Sequence, residues 1–111
     1  MPNYRPGIRV LAIRNTDPDT GTAYLFGEGV YEGDFSPEEA AGGLAEICRE
    51  AEMNNPRIRL DSGEVVYGCE CWWGPVEAGY KSLEMDYPNI VTVTVADYRA
   101  EWEAEQEDGD A

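Results

Sequence analysis

The chain has 111 residues, of which 42% are hydrophobic, and its 23 acidic and 8 basic residues give a formal net charge of −15. This length and apolar content predict one compact domain and exclude global disorder. The acidity argues against direct nucleic-acid binding, whose affinity comes mainly from basic side chains that neutralise phosphates. No apolar run is long enough to cross a membrane, and the first ten residues lack a signal-peptide core, so we expect no membrane contact and a cytoplasmic location.

The chain contains no His, which excludes Ser-His-Asp and Cys-His catalysis. Its three cysteines, Cys48, Cys69 and Cys71, are an odd set with a Cys-x-Cys pair, which is a poor framework for disulfides. A zinc site needs about four ligands, and three Cys without any His fall short of that number. We therefore predict reduced, buried thiols and no metal. No nucleotide-cofactor fingerprint is present. We therefore expect no cofactor, no catalytic residue and no enzymatic activity.

The first predicted element is a hairpin. Residues 7–14 and 22–32 have the β-branched and apolar composition of strands, and residues 15–21 are turn formers. Gly27 and Gly29 interrupt the second arm, and glycines inside a strand mark a bulge or a close backbone approach.

One long helix is predicted next, beginning at Ser36. The segment Ser36-Pro37-Glu38-Glu39 has the pattern of a capping box with Pro at the first helical position. An apolar face then follows at helical spacing, formed by Ala40, Leu44, Ile47, Cys48 and Ala51. Asn54-Asn55-Pro56 ends this helix.

A second hairpin is predicted from a short strand at residues 57–60, a turn at 61–63 and a return strand at 64–73. Alternation along the return strand divides its side chains between two faces. The apolar, core-facing set is Val65, Tyr67, Cys69, Cys71 and Trp73. The outward set is Val66, Gly68, Glu70 and Trp72, and a β-bulge in this strand would exchange the two sets.

The C-terminal third is predicted as a weak helix over residues 76–85 and a strand over 89–96 with Val91, Val93 and Val95 inward. One or two polar helical turns are expected over residues 98–105, and the acidic residues that follow are expected to be disordered. Together these elements predict an α+β domain over residues 1–98, with about five mostly antiparallel strands and one long helix packed on them. Residues 99–111 form the acidic tail.

The exposed aromatic of the Trp pair leads to a candidate ligand site. Trp72 and Glu70 are predicted on the same outer face as Arg57 and Arg59 of the neighbouring strand. An ordinary cross-strand Arg–Glu pair explains this pattern equally well. The functional alternative is a pocket in which Trp stacks on a base, Arg holds phosphate and Glu accepts from an amine. The predicted ligand-binding set is Trp72, Glu70, Arg57, Arg59, Tyr31 and Asp34.

Three segments, GEGVYEGD at residues 27–34, NPRIRLDSG at 55–63 and VYGCECWWG at 66–74, resemble a group of small uncharacterised proteins encoded by phages. The likeness covers residues 24–76. It transfers no functional residue, but it implies action in the cytoplasm of a host cell and raises counter-defence as a class of function.

Three hypotheses follow. The first is a binding protein, expected to be a homo-oligomer, that sequesters a small nucleotide-like immune signal. The second is an acidic inhibitor of a host defence protein that handles nucleic acid, such as a CRISPR effector, acting by charge mimicry. The third is a structural or accessory phage protein with Trp72 in an oligomer interface. The acidity itself is explained more simply by solvation of the protein or by an acid-biased composition than by charge mimicry.

Overall fold

The computed structural model describes residues 4–109 and has the predicted α+β architecture, with a largely antiparallel sheet. The strands are β1 (Arg9–Asp17), β2 (Thr22–Phe35), β3 (Asn55–Leu60), β4 (Val65–Tyr67), β5 (Trp72–Pro75) and β6 (Asn89–Thr92). The helices are α1 (Gly43–Glu50), α2 (Val76–Leu83) and α3 (Val95–Gly109), and a 3₁₀ turn covers Gly68–Glu70. The sheet order is β4-β3-β2-β1-β5, and β6 pairs with β2 in parallel. Among the described helices, none is long and apolar enough to span a membrane.

Both predicted hairpins are present, β1–β2 and β3–β4. The role expected for the glycines of β2 is also found. Gly27 adopts a positive φ of 119°. A Cβ atom at Gly29 would lie 2.3 Å from the carbonyl oxygen of Arg59, so β2 and β3 approach too closely there for any side chain.

The sheet must curve, because its two edge strands are joined by a very short connection. In a flat sheet β4 and β5 would lie about 19 Å apart, given four strand spacings. The chain from Tyr67 to Trp72 includes the 3₁₀ turn and spans no more than roughly 13 Å. Val66 of β4 and Trp73 of β5 accordingly pack in one apolar cluster. Its buried members are Val10, Ala12, Phe26, Tyr31, Ile58, Leu60, Val66 and Val95.

A second apolar cluster joins α2 to the sheet. Leu83 of α2 packs with Leu11, Ala23 and Leu25 of β1 and β2. Gly79 lets the helix approach closely, since a Cβ there would lie 2.8 Å from Leu11 Cδ2. The helix predicted over residues 76–85 is therefore present, and this cluster fixes its position after β5.

The helix predicted from Ser36 begins instead at Gly43. Gly42 has a φ of 107°, a conformation that cannot belong to a right-handed helix. Residues 36–40 form turns instead, with the amide of Ala40 donating to the carbonyl of Pro37. Arg49 of α1 donates to the carbonyl oxygens of Pro37 and Ala40, which holds this segment against the helix. The capping-box interpretation was wrong because a local pattern carries no information about these tertiary contacts.

The C-terminal segment differs most from expectation. Its predicted strand stops at Thr92, and Val95 begins α3. Glu64, in the turn between β3 and β4, accepts hydrogen bonds from the amides of Val95 (3.0 Å) and Ala96 (2.9 Å), and so caps the helix. The polar helical turns predicted over residues 98–105 are present as part of α3, which the structure describes as far as Gly109. The boundary predicted after Tyr98 lies within this helix. Residues 110 and 111 lie outside the described part of the chain.

Three valines of the predicted strand, Val91, Val93 and Val95, were expected to pack inward, and only some of them do. Val95 is buried, but as the first residue of α3, and Val93 is partly buried beside the main cluster. Val91 is exposed, since β6 lies at an edge of the sheet. The alternating pattern correctly indicated a strand. The strand is shorter and more exposed than the pattern predicted.

Candidate binding face around Trp72

Trp72 and Trp73 point to opposite sides, as alternation along a strand requires. Trp73 turns inward, where its ring stacks on Tyr31 at 5.2 Å and meets Tyr4 edge-on at 5.5 Å. Trp72, paired with Ile13 of β1, is 76% exposed. The prediction that Trp72 is the outward aromatic is confirmed.

A cavity of about 520 Å³ opens beside Trp72. Its lining residues are Arg14, Leu44, Gly68, Cys69, Glu70, Cys71, Trp72 and Trp73. Leu44 of α1 is 58% exposed, and Ile47, one helical turn later, is 59% exposed. We call Trp72, Leu44, Ile47 and the cavity between Trp72 and Leu44 the Trp72 face. It is apolar at its rim, unlike the acidic surface of most of the chain.

Glu70 was predicted on the outer face, and this is wrong. Its side chain is fully buried. The 3₁₀ turn interrupts the alternation of the strand and turns this carboxylate inward. It accepts hydrogen bonds from the amides of Ala41 (3.0 Å) and Tyr67 (3.1 Å). It also accepts from Arg99 Nε (3.0 Å) and Nη2 (2.8 Å) of α3. With both oxygens satisfied, Glu70 holds three segments of the chain together and has little capacity left for a ligand.

Arg99 is the cation that matches this buried carboxylate. Burial by itself lowers the pKa of Arg99, but its hydrogen bonds and charge attraction to Glu70 outweigh this effect, so the pKa is raised. Arg99 Nη2 also donates to the carbonyl of Val65 at 3.0 Å. The first part of the predicted tail is therefore attached to the domain by a bidentate ion pair between Arg99 and Glu70.

Arg57 and Arg59 do not line the cavity beside Trp72. Both donate to Glu32 of β2, each at 3.0 Å. The Arg57 guanidinium also lies 3.6 Å from the ring centre of Phe35. The ordinary cross-strand Arg–Glu pair therefore exists, but with Glu32 in place of Glu70.

Tyr31 and Asp34 form a separate small group. Tyr31 is buried, and its hydroxyl donates to Asp34 Oδ1 at 2.8 Å. Burial, followed by the hydrogen bond and charge of Asp34, raises the pKa of Tyr31. Of the predicted ligand-binding set, the cavity brings together Trp72 and Glu70 alone.

Sequence reasoning missed the residues that attach α3 beside the cavity. Arg14 forms an ion pair with Glu101, and its guanidinium lies 5.4 Å from the ring centre of Tyr98. The Tyr98 ring packs edge-on against Phe26, and its hydroxyl donates to the carbonyl of Ala41 at 3.3 Å. No local signal could reveal these contacts, since Arg14 and Glu101 are 87 residues apart in sequence.

Most of the basic residues form ion pairs with carboxylates of the same chain. Within the described chain, five of the eight form ion pairs with carboxylates: Arg9, Arg14, Arg57, Arg59 and Arg99. The second half of α3, by contrast, carries exposed carboxylates at Glu103 and Glu105. The part of α3 beyond its ion pair with Arg14 therefore presents negative charge to the solvent at Glu103 and Glu105.

The cysteines near the cavity are expected to be unreactive. Burial, and next the charge of Glu70, raises the pKa of Cys69 to about 11 and raises the pKa of Cys71 as well. Because the thiolate is the nucleophile, only about one Cys69 in a thousand is reactive at pH 8. We predict that iodoacetamide at pH 8 alkylates these two thiols at least about 100-fold more slowly in the folded protein than in urea, as measured by mass spectrometry. Equal rates in the two conditions would contradict the burial of both thiols.

The polar groups that line the cavity have little capacity for further contacts. Its carboxylate is fully hydrogen-bonded and its thiols are protonated, and no group of three or more potential metal ligands occurs among the described residues. No protein-family model, curated protein or solved structure matches the chain. What remains available to a partner is an exposed Trp, two exposed aliphatic side chains and a neighbouring acidic helix.

Proposed function

We propose that this protein is a non-enzymatic binding protein that covers a basic, nucleic-acid-binding surface of another protein, using the Trp72 face together with α3. The observation that carries the proposal is the exposed Trp72 at the rim of a cavity beside an anchored acidic helix. An apolar anchor and an acidic element on neighbouring surfaces are what such a partner requires.

The apolar part supplies affinity. Large aromatic side chains at the centre of an interface contribute most of the binding energy in many complexes. The backbone of Trp72 is fixed by its pairing with β1, so only the two side-chain torsions of Trp72 must be ordered on binding. Leu44 and Ile47 extend the contact on the side of α1.

The acidic part supplies charge complementarity. The 15 residues of α3 form a helix about 22 Å long. Tyr98, Arg99 and Glu101 attach its first two turns, and the side chains of Glu103 and Glu105 are exposed beyond them. Acidic residues recur at every second position from Glu101, which on a helix places successive charges on opposite sides. A partner surface on one side would meet one such charge per about 6 Å of helix axis. This acidic helix supports attraction to a basic groove.

The resemblance to phage-encoded proteins supports a bacterial host factor as the partner. A phage protein with this charge would protect its genome by occupying the nucleic-acid site of a defence protein, such as a CRISPR effector. Binding by itself then accounts for the function, and no turnover is required.

Affinity capture from a nuclease-treated bacterial lysate at low salt tests this proposal. We expect the wild-type protein to retain basic nucleic-acid-binding proteins. Trp72→Ala and truncation after Glu103 should each reduce that retention about tenfold or more, because they remove the anchor and the exposed acidic turns. Met85→Ala is the matched control, since Met85 is 92% exposed and does not line the cavity. Retention of the same proteins by all four chains would contradict the proposal.

Capture of a nucleotide-type immune signal is a second candidate, favoured by the volume of the cavity, which lies in the range of small-molecule sites. A base would stack on Trp72. Among the described lining residues Arg14 alone is cationic, and it already pairs with Glu101. Calorimetry with cyclic dinucleotides and ADP-ribose tests this candidate: heat that Trp72→Ala abolishes would support it, and no heat with any of them would remove it.

A further inference from the structure

Strand β6 has one open edge. Among the described residues it pairs with β2 alone, and in parallel. The amide of Asn89 donates to the carbonyl of Gly21 at 3.0 Å, and the amide of Val93 donates to the carbonyl of Leu25 at 2.8 Å. Backbone groups of a parallel strand alternate between its two edges, so the amides and carbonyls of Ile90 and Thr92 point away from β2. These four groups form a short template for another strand.

A groove of about 630 Å³ lies beside this edge, between α2 and β6. Its apolar wall includes Tyr80, Tyr87 and Ile90. Glu77, Glu84 and Lys81 also line it, so acidic residues outnumber basic ones. The Tyr80 hydroxyl donates to Glu28 at 3.0 Å, and this carboxylate also pairs with Arg9.

We infer that the β6 edge and this groove bind an extended segment of a partner protein that alternates apolar and basic residues, by strand addition. The open backbone groups of Ile90 and Thr92 pair with the segment. The groove accepts an apolar side chain, and the surrounding carboxylates favour Lys or Arg. A second copy of this chain fits poorly as the occupant, because it too carries a net charge of −15. This surface shares no residue with the Trp72 face, so it does not depend on the proposed function.

A synthetic peptide of three Lys-Val repeats, acetylated and amidated, serves as the probe, and the same peptide with Glu in place of Lys is its control. We expect the Lys-Val peptide to bind in fluorescence anisotropy and to shift the NMR amide signals of Ile90 and Thr92, while the Glu-Val peptide does neither. Equal binding of both peptides, or shifts confined to other residues, would overturn the inference.

Two variants at one position isolate the backbone contact. Thr92→Pro removes an amide that the ladder to β2 does not use, whereas Thr92→Ala retains it. We expect Thr92→Pro to weaken binding of the Lys-Val peptide about tenfold and Thr92→Ala to leave it unchanged. Equal affinity of the two variants overturns the inference.

Misfolding of Thr92→Pro and dimerisation of the protein are each covered by a separate measurement. If circular dichroism shows that Thr92→Pro does not fold, a Lys-Val peptide methylated at every backbone nitrogen replaces it, and unchanged binding of that peptide to the wild-type protein overturns the inference. A wild-type dimer in sedimentation whose partner protects the Ile90 and Thr92 amides from hydrogen exchange would also overturn it, since the occupant would then be a second copy.

Discussion

Replacing Glu70 with Ala is expected to lower the free energy of unfolding by about 3–5 kcal/mol, the range measured when one partner of a buried ion pair is removed. The change leaves Arg99 without its carboxylate and leaves the amides of Ala41 and Tyr67 without an acceptor. Urea unfolding followed by Trp fluorescence measures the loss. Helicity should fall as well, because the same ion pair attaches α3.

Glu32→Ala is the matched control for this change. Glu32 also pairs with arginines, Arg57 and Arg59, but at the surface of the sheet, where such pairs contribute roughly 0–1 kcal/mol. A Glu70→Ala variant no less stable than Glu32→Ala would show that α3 is not held through Glu70.

Gly29→Ala is expected to destabilise the protein by about 3 kcal/mol, at the upper end of the range for overpacking. The new Cβ would lie 2.3 Å from the carbonyl oxygen of Arg59 and 2.7 Å from the Cα atom of Leu60. Both atoms belong to the backbone of β3, so no side-chain rotation relieves the contact and the two strands must separate. Thermal unfolding by circular dichroism measures the effect.

Gly43→Ala provides the comparison for a glycine without close neighbours. A Cβ at Gly43 meets no atom within 4 Å, and the residue begins α1. Replacing it should leave stability unchanged or raise it by up to about 1 kcal/mol. Equal destabilisation by both substitutions would contradict the close approach of β2 and β3.

Local pattern predicted those parts of the fold that depend on neighbouring residues. The two hairpins, the β-strand character of residues 89–92 and the outward position of Trp72 follow from alternation and turn composition. The close contact at Gly29 also follows, because a glycine within a strand has few other uses.

The remaining features depend on contacts between distant residues. Glu70 turns inward because a 3₁₀ turn breaks the alternation and because Arg99 supplies a partner that no local pattern indicates. The acidic C-terminal segment is helical because Glu64 caps it and Arg14 pairs with Glu101. The repulsion between its own carboxylates, which favoured disorder in the sequence, is outweighed by these attachments in the described part of the chain.

Hydrogen–deuterium exchange of the complex formed with the strongest partner retained at low salt tests the central claim most directly. Binding through the Trp72 face and α3 predicts slower exchange in α1, in Trp72–Pro75 and in residues 101–106, with no change in β3 and β4. Protection confined to β3 and β4, with the Trp72 face and α3 unchanged, would contradict the assignment of this face as the binding surface.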